Sequence, residues 1–263
     1  MQIFQVDAFT KSIFRGNPAA VVPLESWLPD STMQAIAAEN NLAETAFFYE
    51  DEEEYHLRWF TPNLEIDLCG HATLATAHVL FEHLGVQKSM LSFHTRSGLL
   101  SVSKQDDWLS MDFPARPPQD CPEDLMLLSE ALALSISPLY VGKSRDYLVE
   151  LPSEADVRAV VPNMALVSKL KAIGVIVTAP GEEVDFVSRF FAPQAGVPED
   201  PVTGSAHSTL IPFWAEKLNT KRLLAQQVSP RLGELKCEHL GERVLISGQA
   251  ITYMQGEIQV SKK

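Results

Sequence analysis

Short apolar runs separated by breakers open the chain. Ile3 to Phe9 and Ala19 to Val22 read as strands, with turn chemistry at Gly16-Asn17-Pro18 between them. Asp30 or Ser31 can cap a helix running to about Asn40. Thr45 to Tyr49 and Tyr55 to Phe60 form a strand pair across Glu50-Asp51-Glu52-Glu53-Glu54, a solvated hairpin tip. Gly70 to Leu84 is a helix of Ala, Leu and Val with few charges, which predicts burial on most sides, and Gly85 ends it. Strands follow around Leu91 to Thr95, Leu99 to Ser103 and Leu109 to Phe113.

Pro114-Ala115-Arg116-Pro117-Pro118 is the best linker candidate, dividing the chain into lobes 1–116 and 117–256. The segment of about 257–263 is expected to return to the first lobe. The second lobe opens with a helix near Glu123 to Leu134 and strands at Leu139 to Val141 and Tyr147 to Leu151. A helix in Glu154 to Leu170, interrupted by Pro162, and a strand at Ile173 to Thr178 come next. The chain closes with a strand at Asp185 to Phe191, a helix from Thr203 to Leu218, and strands near Arg243 to Ile246 and Ile258 to Val260.

The pattern repeats. Arg58-Trp59-Phe60-Thr61-Pro62 is matched by Arg189-Phe190-Phe191-Ala192-Pro193, and each precedes a glycine-entered, weakly charged helix of the same expected length. The first starts at Gly70-His71-Ala72 and the second at Gly204-Ser205-Ala206; the second ends in Asn219, which also tolerates a left-handed cap. Two lobes of similar build, each with a buried helix among antiparallel strands, follow from this order. The fold class is α+β.

Composition narrows the function. The 263 residues carry 46% hydrophobic and 21% charged side chains, ordinary for a globular protein. A formal net charge of −13 argues against nucleic-acid binding, which needs clustered Lys and Arg. Cys69, Cys121 and Cys237 are too scattered for a disulfide framework or a zinc motif. The start lacks a basic, apolar leader, and no uncharged run approaches the ~20 residues a membrane helix needs. A reduced, cytoplasmic protein is expected.

Chemistry must then come from local fields. Each buried helix starts with unpaired N–H groups, worth roughly half a positive charge. If the two starts converge, they bind a carboxylate without Lys or Arg. Gly70 and Gly204 allow close backbone approach, and His71 and Ser205 hold matching places beside them, as ligand donors or as plain helix-entry residues. Asp200 reads as a capping acid before Pro201 or as a ligand contact. Glu44, heading an apolar strand, is a solvated strand end or a partly buried acid with a raised pKa suited to proton transfer. No GxGxxG, Walker, GxSxG or HExxH motif is present, and His71 and His78 lie too far apart along one helix to share an ion.

Three segments together resemble the PhzF-like family: Asn41-Leu42-Ala43-Glu44-Thr45-Ala46-Phe47, Leu68-Cys69-Gly70-His71-Ala72-Thr73, and Glu199-Asp200-Pro201-Val202-Thr203-Gly204-Ser205-Ala206-His207. Val6-Asp7-Ala8-Phe9 and Gly16-Asn17-Pro18-Ala19 fit as well, so the likeness spans the chain. It implies the diaminopimelate epimerase fold, with two pseudo-symmetric lobes, each a barrel-like sheet around a central helix. It implies that Glu44 is the general acid/base and that Gly70, His71, Asp200, Gly204 and Ser205 bind a small carboxylated substrate. It implies no cofactor and no metal, and a homodimer. The name-giving member isomerises a dihydro-hydroxyanthranilate towards phenazines, and the reaction type carries over better than that substrate.

Racemases of the same superfamily place a cysteine at each helix entry. Here Cys69 fills the first place, but Asp200-Pro201-Val202-Thr203-Gly204 enters the second without one, so Cys69 reads as a small buried residue. Rival readings are a racemase or epimerase pairing Cys69 with a non-thiol group, and a non-catalytic binding protein on the same fold.

Overall fold

The computed structural model describes residues 1–260. The chain forms two compact units, Met1–Asp112 with the segment from Ser247 onward, and Phe113–Ile246. The division thus falls a few residues before the Pro-rich stretch rather than within it.

The first unit contains β1 (Gln2–Ala8), β2 (Asn17–Pro23), α1 (Asp30–Asn40), β3 (Glu44–Asp51), β4 (Glu54–Phe60), β5 (Glu65–Ile66), α2 (Gly70–Glu82), β6 (Met90–Thr95), β7 (Gly98–Gln105) and β8 (Trp108–Pro114). The second contains β9 (Gln119–Asp120), α3 (Leu125–Ala131), β10 (Tyr140–Lys143), β11 (Tyr147–Glu150), α4 (Glu154–Ala159), α5 (Met164–Val167), β12 (Val175–Pro180), β13 (Phe186–Ala192), β14 (Val197–Asp200), α6 (Gly204–Leu218), β15 (Arg222–Gln227), β16 (Gly233–His239) and β17 (Arg243–Gly248). The chain then returns to the first unit as β18 (Ala250–Glu257), antiparallel to β1 along its whole length. The return therefore begins ahead of residue 257. The strand expected at Ile258 to Val260 is not formed: β18 ends at Glu257, opposite Gln2, and the chain terminus Met1 pairs with Ile258 as the last partner β1 can offer. Residues 261–263 of the expected return lie outside the described residues.

Strand pairing confirms the duplication. In the first unit β1–β2 is antiparallel, β2–β3 parallel, β3–β4 and β4–β5 antiparallel, β4–β6 parallel and β6–β7 antiparallel. The second repeats this order in β10–β11, β11–β12, β12–β13, β13–β14, β13–β15 and β15–β16. Each parallel pair requires a crossover, and the intervening helices provide it: α1 for β2–β3 and α2 for β4–β6 in the first unit, α4 and α5 for β11–β12 and α6 for β13–β15 in the second.

Both units bury an apolar layer on each face of the sheet. In the first, Ala20, Val22, Phe47 and Phe60 pack on Met33 and Ala37 of α1. The other face receives α2, in which Ala72 to Ala77 and Val79 to Phe81 are buried against β1, β2, β3 and β18. Thr73 and Thr76 survive there because their hydroxyls donate to the carbonyls of Cys69 (2.6 Å) and Ala72 (2.7 Å). In the second unit Val149, Val177 and Val187 pack on Leu128, Val157 and Val167 of α3, α4 and α5.

Helix α2 stops at Glu82, shorter than its counterpart: 13 residues against 15. The N–H groups of His83 and Leu84 both reach the Val79 carbonyl, which tightens the last turn before Gly85 turns left-handed at φ +69°. Helix α6 accommodates Pro212 mid-helix. Proline offers no N–H to the Ser208 carbonyl, and the Arg116 N–H donates to it instead, at 2.8 Å. The Pro-rich stretch is thus pinned to the buried helix, which explains why it does not mark the boundary.

Pro162 separates α4 from α5 as expected, and the following strand begins at Val175. Strands β15 and β16 have no counterpart in the sequence expectations. Their inward positions Leu223, Ala225 and Gln227 alternate correctly, but the buried glutamine breaks the apolar signal.

Candidate active site

Glu44 is the first residue of β3, opposite Ala19 of β2. The parallel pairing holds its backbone, so the carboxylate projects from a fixed strand end and is only 9% exposed. Cys69, extended at φ −142°, is the N-cap of α2, and no side chain caps that helix. Gly70 and His71 follow as its first two residues, and His71 is 5% exposed. His71 Nε2 lies 3.0 Å from Glu44 Oε2. The contact is poorly aligned with the ring N–H, and among the described residues neither buried atom has another hydrogen-bond partner. On the other side of the ring, Nδ1 meets Asn17 Nδ2 at 3.2 Å and Cys69 Sγ at 3.5 Å.

Burial, aided by the Glu44 charge, pushes the Cys69 thiol up to about 11. For His71, burial opposes protonation. Negative charge on Cys69 and Glu44 outweighs it and holds the ring well above the usual imidazole range when both are ionised. At neutral pH the thiol keeps its proton, so Glu44 alone is left to favour a charged ring. Donor atoms of Glu44, Cys69 and His71 lie within 4.8 Å of one another, close enough for a cation to bridge.

In the second unit, Asp200 ends β14 and Thr203 is the N-cap of α6. Asp200 is therefore not the helix cap. Its Oδ2 accepts from the Thr203 hydroxyl at 2.6 Å. Gln227, buried in β15, ties the segment together: its Oε1 accepts from the Thr203 N–H (2.8 Å) and its Nε2 donates to the Asp200 carbonyl (2.7 Å). Gly233 leaves room for Val202, whose Cγ2 would sit 2.1 Å from any added Cβ. Gly204 opens α6 and Ser205 is its second residue, matching Gly70 and His71 in α2. Ser205 Oγ accepts from Arg145 Nη2 at 2.8 Å, and Arg145 is held by Asp146. A guanidinium thus stands beside the second residue of α6, where the sequence offered no Lys or Arg.

The duplication reaches atomic detail. His207 Nδ1 donates to the Thr203 carbonyl at 2.8 Å, as Thr73 does to Cys69, so Cys69 and Thr203 are equivalent positions and the second is not a thiol. Glu44, Cys69, Gly70 and His71 thus come together in one unit, and Asp200, Gly204 and Ser205 in the other. Sequence reading missed Asn17, Arg145 and Gln227. Asn17 lies inside a recognised segment but reads as turn chemistry, while the other two carry no local pattern.

Two units with one repeated strand pairing, each built on a buried helix, define the fold of the racemase and epimerase class. A hydroxyproline epimerase from Agrobacterium vitis shares it, with a TM-score of 0.61 over 97% of this chain and 91% of that one, at 11% identity. Nearer likenesses give the family. A PhzF-family phenazine biosynthesis protein from Enterococcus faecalis superposes with a TM-score of 0.96 at 46% identity, covering 98% of this chain and 99% of the other. An uncharacterized isomerase of Pseudomonas aeruginosa is 52% identical over 260 residues, 99% of each chain. The family model for phenazine biosynthesis-like proteins, PhzC-PhzF, matches residues 6–256. The chain belongs to this family and is an isomerase. Among the described residues no helix is long and apolar enough to cross a membrane.

Proposed function

We propose that this isomerase moves a proton between carbons of a small carboxylated enol or allylic substrate, with Glu44 as the general acid/base and without a cofactor. The observation that supports it is the nearly buried Glu44 carboxylate, whose Oε2 lies 3.0 Å from His71 Nε2, neither atom having another hydrogen-bond partner among the described residues. A carboxylate on a rigid strand end can take a proton from one carbon and return it to another. Gly70 and His71 orient the substrate from the start of α2. In the second unit Asp200, Gly204 and Ser205 are proposed to bind the anionic substrate, aided by the open amides of α6 and the Arg145 guanidinium. A homodimer in the cytoplasm is the proposed working form.

The racemase reading is less well supported. Thr203 stands where a second thiol is needed, and a Cys69 thiol pushed up to about 11 is a poor base at neutral pH. The decisive experiment supplies small enol and allylic carboxylates, dihydro-hydroxyanthranilate among them, in deuterated water. Wild-type enzyme should incorporate deuterium into a turned-over substrate, and Glu44→Gln should bind it without exchange. Exchange retained by Glu44→Gln would remove Glu44 from the mechanism.

A further inference from the structure

Asn17 has no role in the chemistry described so far, yet its placement is tightly determined. Gly16 turns the chain at φ +63°, where an added Cβ would meet the Ala8 carbonyl oxygen at 2.1 Å and Thr10 Cγ2 at 2.8 Å. This puts Asn17 at the start of β2, opposite Ala8, with its side chain fully buried. Its Nδ2 lies 3.2 Å from His71 Nδ1.

As the amide is oriented, its nitrogen, which only donates, faces Nδ1, so an uncharged ring meets it there with a lone pair rather than a proton. The second group at Nδ1, the Cys69 thiol at 3.5 Å, can donate to the same lone pair while it keeps its proton. The ring proton is then left to Nε2, the nitrogen beside Glu44 Oε2. We propose that Asn17 is a positioning residue that fixes the uncharged His71 ring as the Nε2–H tautomer, making Nε2 a hydrogen-bond donor toward Glu44 and the substrate rather than a second base. The tautomer is independent of the isomerase mechanism proposed above; its use in proton transfer rests on that mechanism. Glu44 is then the one group of this cluster that exchanges a proton during turnover. The ring, unable to accept at Nε2, steadies the carboxylate or a substrate oxygen.

The test is a long-range proton–nitrogen correlation spectrum of the intact protein labelled with nitrogen-15 histidine, with His71 identified through His71→Gln. Once the pH is raised until the ring is uncharged, His71 should show a protonated, pyrrole-type Nε2 and a bare, pyridine-type Nδ1. Asn17→Asp presents an acceptor instead, so a proton should appear on Nδ1. Deuterium exchange into substrate should then fall by about 100-fold or more, as expected when a catalytic imidazole is held in the wrong tautomer. A protonated Nδ1 in the neutral wild-type ring would overturn the proposal, and so would an unchanged pattern in folded Asn17→Asp. Should that variant fail to fold, the wild-type spectrum still decides. Failure of the Glu44→Gln exchange experiment would strike the isomerase mechanism and leave this spectrum untouched.

Discussion

Replacing Arg189 by Met tests why the repeated Arg-aromatic-Phe segment exists. Arg189 forks Glu199 with Nε–Oε1 at 2.8 Å and Nη2–Oε2 at 2.9 Å. Its Nη1 also donates to the carbonyls of Val157 (3.2 Å), Arg158 (3.2 Å) and Val160 (2.7 Å) at the end of α4. The side chains are 12% and 18% exposed, so solvent relieves the loss only in part. Breaking a buried pair costs about 3–5 kcal/mol, and this residual exposure lowers the figure to about 2–4 kcal/mol. Methionine keeps the apolar stem over Phe191 but loses the cation–π contact, 4.8 Å from the ring, which adds about 0.5–1 kcal/mol. Urea unfolding of wild type, Arg189→Met, Glu199→Gln and the double variant measures the coupling directly, expected at about 1–3 kcal/mol. Because Glu199 precedes Asp200 in β14, the same variant should raise the KM for substrate. A total loss below about 0.5 kcal/mol, or no coupling, would show that the fork is ornamental.

Three further outcomes follow from the structure. Burial pushes His207 and His78 down to about 4, so the unfolded chain takes up protons first. Stability is full above about pH 6.5 and falls as the pH drops toward 4, by up to roughly 3 kcal/mol for each ring; urea titrations of His78→Gln across that range should show a shallower decline. Arg116→Pro removes the donor to the Ser208 carbonyl and should destabilise by about 1–3 kcal/mol, whereas adding Pro212→Ala should recover part of the loss by restoring the helical N–H. No recovery would mean that the Arg116 backbone matters for another reason. Cys69→Ala should keep deuterium exchange within a few-fold of wild type, and the wild-type thiol should react slowly with thiol reagents below its pKa of about 11; abolished exchange would favour the thiol mechanism.

Much was legible in the sequence because its signals are local. Apolar periodicity locates α1, α2 and α6, and the acidic run marks the β3–β4 hairpin. Arg58 and Arg189 betray the duplication, although only the structure shows that each forks an acid on the next short strand, Glu65 and Glu199. Glu44, Gly70, His71, Asp200, Gly204 and Ser205 sit beside helix entries or at a strand head, positions that local propensity marks, while their selection as site residues rests on the family resemblance. Gln227 and Arg145 are polar residues without a periodic context, and their importance arises from what folds against them.

The order of residues alone determined the α+β class, the two similar halves and the glycine-entered helices, since these depend on spacing within a dozen or so neighbours. Tertiary structure decided the rest. It carried β18 back to β1 across more than two hundred residues, supplied Arg116 to the carbonyl orphaned by Pro212, and set Asn17, Glu44 and Cys69 around the His71 imidazole. Hydrogen-bond geometry at that ring depends on distances of about 3 Å between groups far apart in the chain, which no local pattern encodes.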